Sequence, residues 1–355
     1  MTAQSAPQPS IAMRRATCAD AAPLTEFYRR HFADRLRLND TALWTWEFSG
    51  QPGAGERFPF FVLDSGHCIE GGIGFVRFNL RAGAQIIAGL QPVNYFVNPS
   101  FKGLHALRLF RTALSEAPVV LGSYTSDTAA PLVKRSGFVD FSAHYHAYHL
   151  PLRFINSATN IMGVLRAGLL WLTRHLWVSM LGTVTRLRTS DVRYHVAETV
   201  NTIWLSHTSA WQLANCSIVK DADYLAWRYS SPALSCRYIW QLRDDQPIAL
   251  AIMHLDQARG EAVLLDYMAE NSEPWALLGL LAKTMSDARR GSANVWITHT
   301  LSAPLERALR MLGCGWRQSP LGLTILCADA GIRDLATDYR NWHVMEATRM
   351  FTSLC

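Results

Sequence analysis

Between Val93 and Leu114 a short apolar run, Val93-Asn94-Tyr95-Phe96-Val97, meets a turn, Asn98-Pro99-Ser100-Phe101-Lys102-Gly103, and then an apolar pattern. Leu104, Leu107, Leu109, Phe110 and Leu114 recur at helical spacing with no breaker before Pro118, so this reads as strand, loop and helix start. A helix that begins directly after a strand turns its free amides and positive dipole end toward whatever sits over the strand, which suits a phosphate. Elsewhere His144, His146 and Tyr148 alternate along an expected strand and so share one side. That placement fits a general base or a metal pair, although an exposed polar strand face is the commoner outcome. Tyr95, and later Asp266 and Tyr267, put polar groups on central strands, where they serve either a substrate or the core. No Gly-x-Ser-x-Gly elbow, Walker loop or His-Glu-x-x-His run occurs, which leaves hydrolase, nucleotide-phosphate and zinc-protease chemistry without support.

The elements that must position these groups fall into a repeat. Asp40-x-x-Leu43-Trp44-x-Trp46-Glu47-Phe48 lines up with Asp221-x-x-Tyr224-Leu225-x-Trp227-Arg228-Tyr229 at an offset of 181. Gly72 to Val76 matches Leu250 to His254, and Gly137-Phe138 matches Gly315-Trp316, both at 178. A nearly constant offset over a hundred positions predicts two copies of one domain, and 355 residues with 49% hydrophobic content is room for two. The expected organisation is a loose tail over 1–13, a first domain over 14–150, a helical connector over 151–192, a second domain over 193–329 and an extension over 330–355. In the second copy the strand Val263 to Met268 is followed by Glu270 and Glu273 at a helix start, where they suit the dipole but repel a phosphate.

The connector is dense in Leu, Trp, Met and Val with arginines set among them. It carries +4 of the net charge of +6, against +3 for 1–150 and −1 for 193–355. No charge-free stretch reaches the roughly 18 residues that span a bilayer. Two helices packed across the domains is the plain expectation; a basic face over 160–188 touching membrane lipid at the periphery is the other. The tail has too little apolar content for a signal peptide, which implies a cytoplasmic protein. Seven cysteines without Cys-x-x-Cys spacing read as reduced thiols, with no structural metal.

Val97-Asn98-Pro99-Ser100-Phe101-Lys102-Gly103 resembles the Val-x-Pro-x-aromatic-Arg-Gly lead-in to the pyrophosphate loop of the GNAT acyltransferase superfamily. A strand over 119–124, a helix over 128–136 and the closing Gly137-Phe138 follow in the order that family shows. The resemblance implies an α/β fold of two tandem GNAT-like domains, each a mixed, mostly antiparallel sheet flanked by helices. It also implies acyl transfer from acetyl-CoA or another acyl-CoA to an amine, either a small molecule or a sugar-amine. Lys102 and the amides of Gly103, Leu104, His105, Ala106 and Leu107 would hold the pyrophosphate, and an amide among Phe96, Val97 and Asn98 would hold the thioester carbonyl. His105 and Leu107 stand where the family keeps small residues, so binding weaker than usual is expected. Ser126 and Val133 replace the family's Asn and Tyr, leaving Tyr124 or Ser126 as thiolate proton donor, with Tyr95 and His146 as further polar candidates. Rival readings are an acyl carrier protein or long-chain donor, an aminoacyl-tRNA donor, and a non-catalytic binding protein. The near-neutral copies argue against nucleic acid.

Overall fold

The computed structural model describes residues 11–345 apart from 33–39, 54–57, 102, 124–128, 154–160, 209, 212–213 and 271–272. In the first half the strands are β1 (Ala12–Arg15), β2 (Phe60–Asp64), β3 (Ile69–Ala82), β4 (Gln85–Val97), β5 (Val119–Ser123), β6 (Val139–Asp140) and β7 (His146–Pro151). The helices there are α1 (Ala21–His31), α2 (Thr41–Trp44), α3 (Leu104–Leu114) and α4 (Ala130–Arg135), and α5 (Ile161–Arg188) leads onward. The second half has β8 (Val192–Ala197), β9 (Cys216–Ile218), β10 (Cys236–Arg243), β11 (Gln246–Asp256), β12 (Glu261–Ala269) and β13 (Val295–Leu301). It ends with β14 (Gly315–Gln318), β15 (Leu323–Cys327) and β16 (Trp342–Met345). Its helices are α6 (Thr202–Thr208), α7 (Ala222–Tyr229), α8 (Pro274–Arg290), α9 (Ala303–Met311) and α10 (Arg333–Ala336).

Each half builds its sheet the same way. β1 to β4 are antiparallel neighbours and β5 returns parallel to β4 through α3. β8, β10, β11 and β12 are likewise antiparallel, and β13 returns parallel to β12 through α8. The last strands are exchanged: β7 lies between β13 and β14, and β15 lies between β5 and β6. The two crossing connectors bond to each other, Phe141 N–H to the Leu323 carbonyl at 2.8 Å and Ser319 N–H to the Tyr145 carbonyl at 2.9 Å. β9 and β16 bridge β3 to β13, so the strands make one continuous sheet.

Local chemistry accounts for the landmarks. Asp40 accepts from the Ala42 and Leu43 amides and Asp221 from the Tyr224 amide, so each repeated aspartate caps a helix. Trp46 and Trp227 stack at 5.6 Å and 18°, and each indole N–H donates to the other's backbone carbonyl at 3.0 and 2.9 Å. β3 needs Gly74 because a Cβ there would stand 2.6 Å from the Phe48 and Phe60 rings. Among its described residues the connector has one helix, of 28 residues, where two were expected, and it packs on α8 through Leu181 and Gly182, the latter facing Ala282. α3 buries Leu109, Phe110 and Ala113, whereas Leu104 at its start is 76% exposed.

Candidate active site

β4 and β5 pair only at Gly89–Val119 and Leu90–Val120 and then diverge, while β4 runs on to Val97. A gap therefore opens beside the second half of β4, with α3 starting at its rim. The backbone there is irregular. Gly72 pairs with Phe96 but Gly74 with Val93, so β4 carries an extra residue around Asn94, which adopts φ +54°. Asparagine tolerates that left-handed conformation better than most residues. The Tyr28 hydroxyl from α1 donates to the Asn94 carbonyl and clamps the bulge, and burial raises the Tyr28 pKa well above its ordinary value. Asn94 Nδ2 is buried with no hydrogen-bond partner among the described residues.

Which amides face the gap follows from the ladder. Asn98 N–H donates to the Glu70 carbonyl at 2.8 Å on the β3 side. Antiparallel pairs alternate between bonded and non-bonded, so Phe96 also turns its amide to β3 and Val97 turns its own toward the gap. Of the three amides considered, Val97 is the open one. Asn98 instead shapes the turn: its carbonyl accepts from Phe101 N–H, its Oδ1 from Ser100 N–H, and its Nδ2 donates to Glu70 at 2.7 Å.

At the rim Gly103 adopts φ +88° with nothing within 4 Å of where a Cβ would stand, and Leu107 N–H bonds its carbonyl to start α3. The amides of Leu104, His105 and Ala106 thus lack helical partners. His105 is exposed and Leu107 is half-buried. No acid occurs between Pro99 and Ala106, so the donor set fits an anion such as a pyrophosphate.

The other predicted residues separate. Tyr95 lies under α3, donating to the Ala106 carbonyl at 3.0 Å and packing on Phe110; burial pushes its pKa up to about 12. It fastens the helix start to β4. Lys102, Tyr124 and Ser126 lie outside the described residues. His146 stands on exchanged β7, its Nδ1 3.6 Å from Glu306, which also accepts from the Tyr148 hydroxyl at 3.1 Å. His144 sits in a turn before β7 and stacks on Tyr339, so the expected shared strand face does not form. Among the described residues no group of three His, Cys, Asp or Glu is gathered for a metal. On the face of β4 opposite Tyr95, Phe96 meets Phe27, His31 and Phe32 of the α1 end, with His31 at 4.9 Å. Asn94, Tyr28 and His31 escaped the sequence reading; the one available signal was an asparagine inside an apolar strand.

The corresponding gap in the second half is closed. β12 and β13 pair only over Glu261–Val263 with Val295–Ile297, and the chain's own β16 occupies the divergence. Thr300 Oγ1 donates to the Val344 carbonyl at 3.1 Å. His343 bridges the Tyr267 carbonyl and Ser302 Oγ, each at 3.0 Å. A carbonyl only accepts, so Nε2 carries the proton and Nδ1 accepts from the serine. Burial, aided by the charge of Lys220, pushes the His343 pKa down to about 3. Behind it Asp266 pairs with Lys220 and accepts from Tyr229 at 2.7 Å, so both polar residues read from that strand are engaged in the interior.

No protein-family profile and no curated protein matches the sequence. Solved structures match its fold. A GCN5-related N-acetyltransferase from Anabaena variabilis matches with TM-score 0.59 at 11% identity, over 90% of this chain and 73% of that one. A probable N-acyltransferase from Enterococcus faecalis matches with TM-score 0.57 at 8% identity over the same shares. Saccharomyces cerevisiae N-myristoyltransferase with bound myristoyl-CoA matches with TM-score 0.53 at 9% identity, over 92% and 81%. The chain thus shares its overall fold with acyltransferase structures, and that fold is the GNAT fold.

Proposed function

We propose that the protein transfers an acyl group from an acyl-CoA to an amine in the gap between β4 and β5 of its first half. One observation carries this reading: that gap has an outward amide at Val97 and a helix start free of acids, whereas its counterpart is filled by β16. The amides of Leu104 to Ala106, with Lys102 beside them in sequence, take the pyrophosphate. Val97 N–H donates to the thioester carbonyl, whose oxygen gains charge as the amine attacks. The buried Asn94 amide faces the same bulge and orients the acceptor. His31, across Phe96, takes the proton leaving the amine through water, and the thiolate departs unassisted, its thiol pKa being about 8.5.

The two halves are read as copies of one domain. Phe141 with Leu323 and Tyr145 with Ser319 are the same pair under an offset of 178, and Trp46 with Trp227 is reciprocal under 181. In this reading the second copy has lost its donor site to β16 and supplies strand β15 to the first. The donor is acetyl-CoA or a longer acyl-CoA, and the acceptor a small amine.

Val97→Pro tests the mechanism. It deletes the amide that Val97 turns to the gap without breaking a bond to β3. The expected result is acyl-CoA binding within a few-fold of wild type and turnover down about a hundred-fold or more. Unchanged turnover removes Val97 from the reaction, and no acyl transfer by the wild type to any of a panel of amines overturns the reading itself.

A further inference from the structure

Helix α5 is apolar on two opposite faces. Its inner face, with Leu181 and Thr185 buried, packs on α8. On the other side Leu165, Leu169, Leu172, Leu176, Met180 and Leu187 are exposed by 48–76%. At 3.6 residues per turn these six fall within about 80° of arc. The helix has no acidic residue, and at about 33 Å from Leu165 to Leu187 its stripe is long for a surface that the described residues leave uncovered. An apolar face of that extent marks an interaction surface.

What covers the outer face is indicated by the cleft along its edge. Between α5 and α8 lies a cavity of about 350 Å³ lined by Arg174, Lys283 and Arg289, by hydroxyls including Ser179, Thr183 and Ser286, and by no acid. Ser179 and Thr183 also continue the rows of Leu176 along the helix, so the cationic cleft opens directly onto the apolar stripe. Those same two polar residues interrupt the 3-4 spacing of Leu165, Leu169, Leu172 and Leu176, which disfavours a coiled-coil seam with a second copy. No described helix is long and apolar enough to cross a membrane. A leucine face beside a basic, hydroxyl-lined cleft is the arrangement that an anionic lipid surface complements, with acyl chains against the leucines and a phosphate in the cleft.

We propose that the outer face of α5 docks on an anionic membrane surface, with a lipid phosphate held in the α5–α8 cleft. The inference stands on residues remote from the β4–β5 gap and does not depend on acyl transfer. Co-sedimentation of the full chain is compared for vesicles of phosphatidylcholine alone and of phosphatidylcholine mixed with phosphatidylglycerol, at physiological salt. Binding is expected to the mixed vesicles and at least ten-fold weaker to the neutral ones. Leu169→Glu with Leu176→Glu, both at exposed positions, should abolish it with the thermal midpoint unchanged. Lys283→Gln with Arg289→Gln should weaken it roughly twenty-five-fold, about five-fold per cation. Absent binding to either vesicle, or equal binding to both, overturns the proposal. A native dimer that the leucine variant converts to monomer also overturns it, by assigning the face to a second copy of the chain.

Discussion

Histidine 343 makes the closure of the second gap measurable through pH. Its folded-state pKa is pushed down to about 3 by burial and by Lys220, while an unfolded histidine titrates near 6.5. Below pH 6.5 the unfolded chain therefore binds a proton that the folded chain refuses. The stability this imidazole supports is complete well above pH 6.5 and is lost as pH falls through 6.5 toward 3, by about 1.4 kcal/mol per pH unit. At pH 5 the loss is about 2 kcal/mol. His343→Gln keeps a donor for the Tyr267 carbonyl and an acceptor for Ser302 but cannot be protonated. Urea unfolding of both proteins from pH 8 to pH 5 should show wild type losing about 2 kcal/mol relative to the variant, most of it below pH 6.5. The difference cancels the other titrating groups. A constant difference across that range would refute the buried, neutral bridge on which the closed gap rests.

Three further outcomes follow from the geometry. Trp46→Ala removes half of the reciprocal indole pair and should cost about 3 kcal/mol in chemical denaturation, with the Trp46→Ala, Trp227→Ala double variant losing less than the sum of the singles. Gly103→Ala forces a side chain into φ +88° with open space around it, so the cost of about 1–2 kcal/mol is conformational and should appear as roughly ten-fold weaker acyl-CoA binding in titration. His31→Ala should lower kcat about a hundred-fold in a steady-state assay while leaving donor binding intact, since the ring packs on Phe96, on the face of β4 opposite Tyr95 and α3.

The fold class was legible because its signals are local. Two aspartates cap helices, Gly103 needs a positive φ, and the strand, turn and helix start around Val97 are set by neighbours a few residues away. What stayed hidden depends on distant pairing. β7 and β15 carry ordinary strand patterns that do not record which sheet they join, so the exchange, and with it the removal of His146 to the Glu306 side, could not be seen. β16 is four buried residues whose role is defined only by the gap they fill. The connector's helical character was readable, but a single helix packed on α8 follows from the fit of Gly182 beside Ala282. The Asn94 bulge needed the register of β3, although an asparagine in an apolar run was its trace.

The most direct test of a single donor site in the first half is calorimetric titration of acetyl-CoA and myristoyl-CoA into wild type, Lys102→Glu and Glu270→Lys. Lys102 adjoins the Gly103 turn, whereas Glu270 follows β12 at the closed gap, its amide bonded to the Ile248 carbonyl. Lys102→Glu should weaken binding at least ten-fold, as a cation near the phosphates becomes an anion, and Glu270→Lys should leave it within two-fold. Weakening in the second variant and not the first would place the donor in the second half, against the account given for β16.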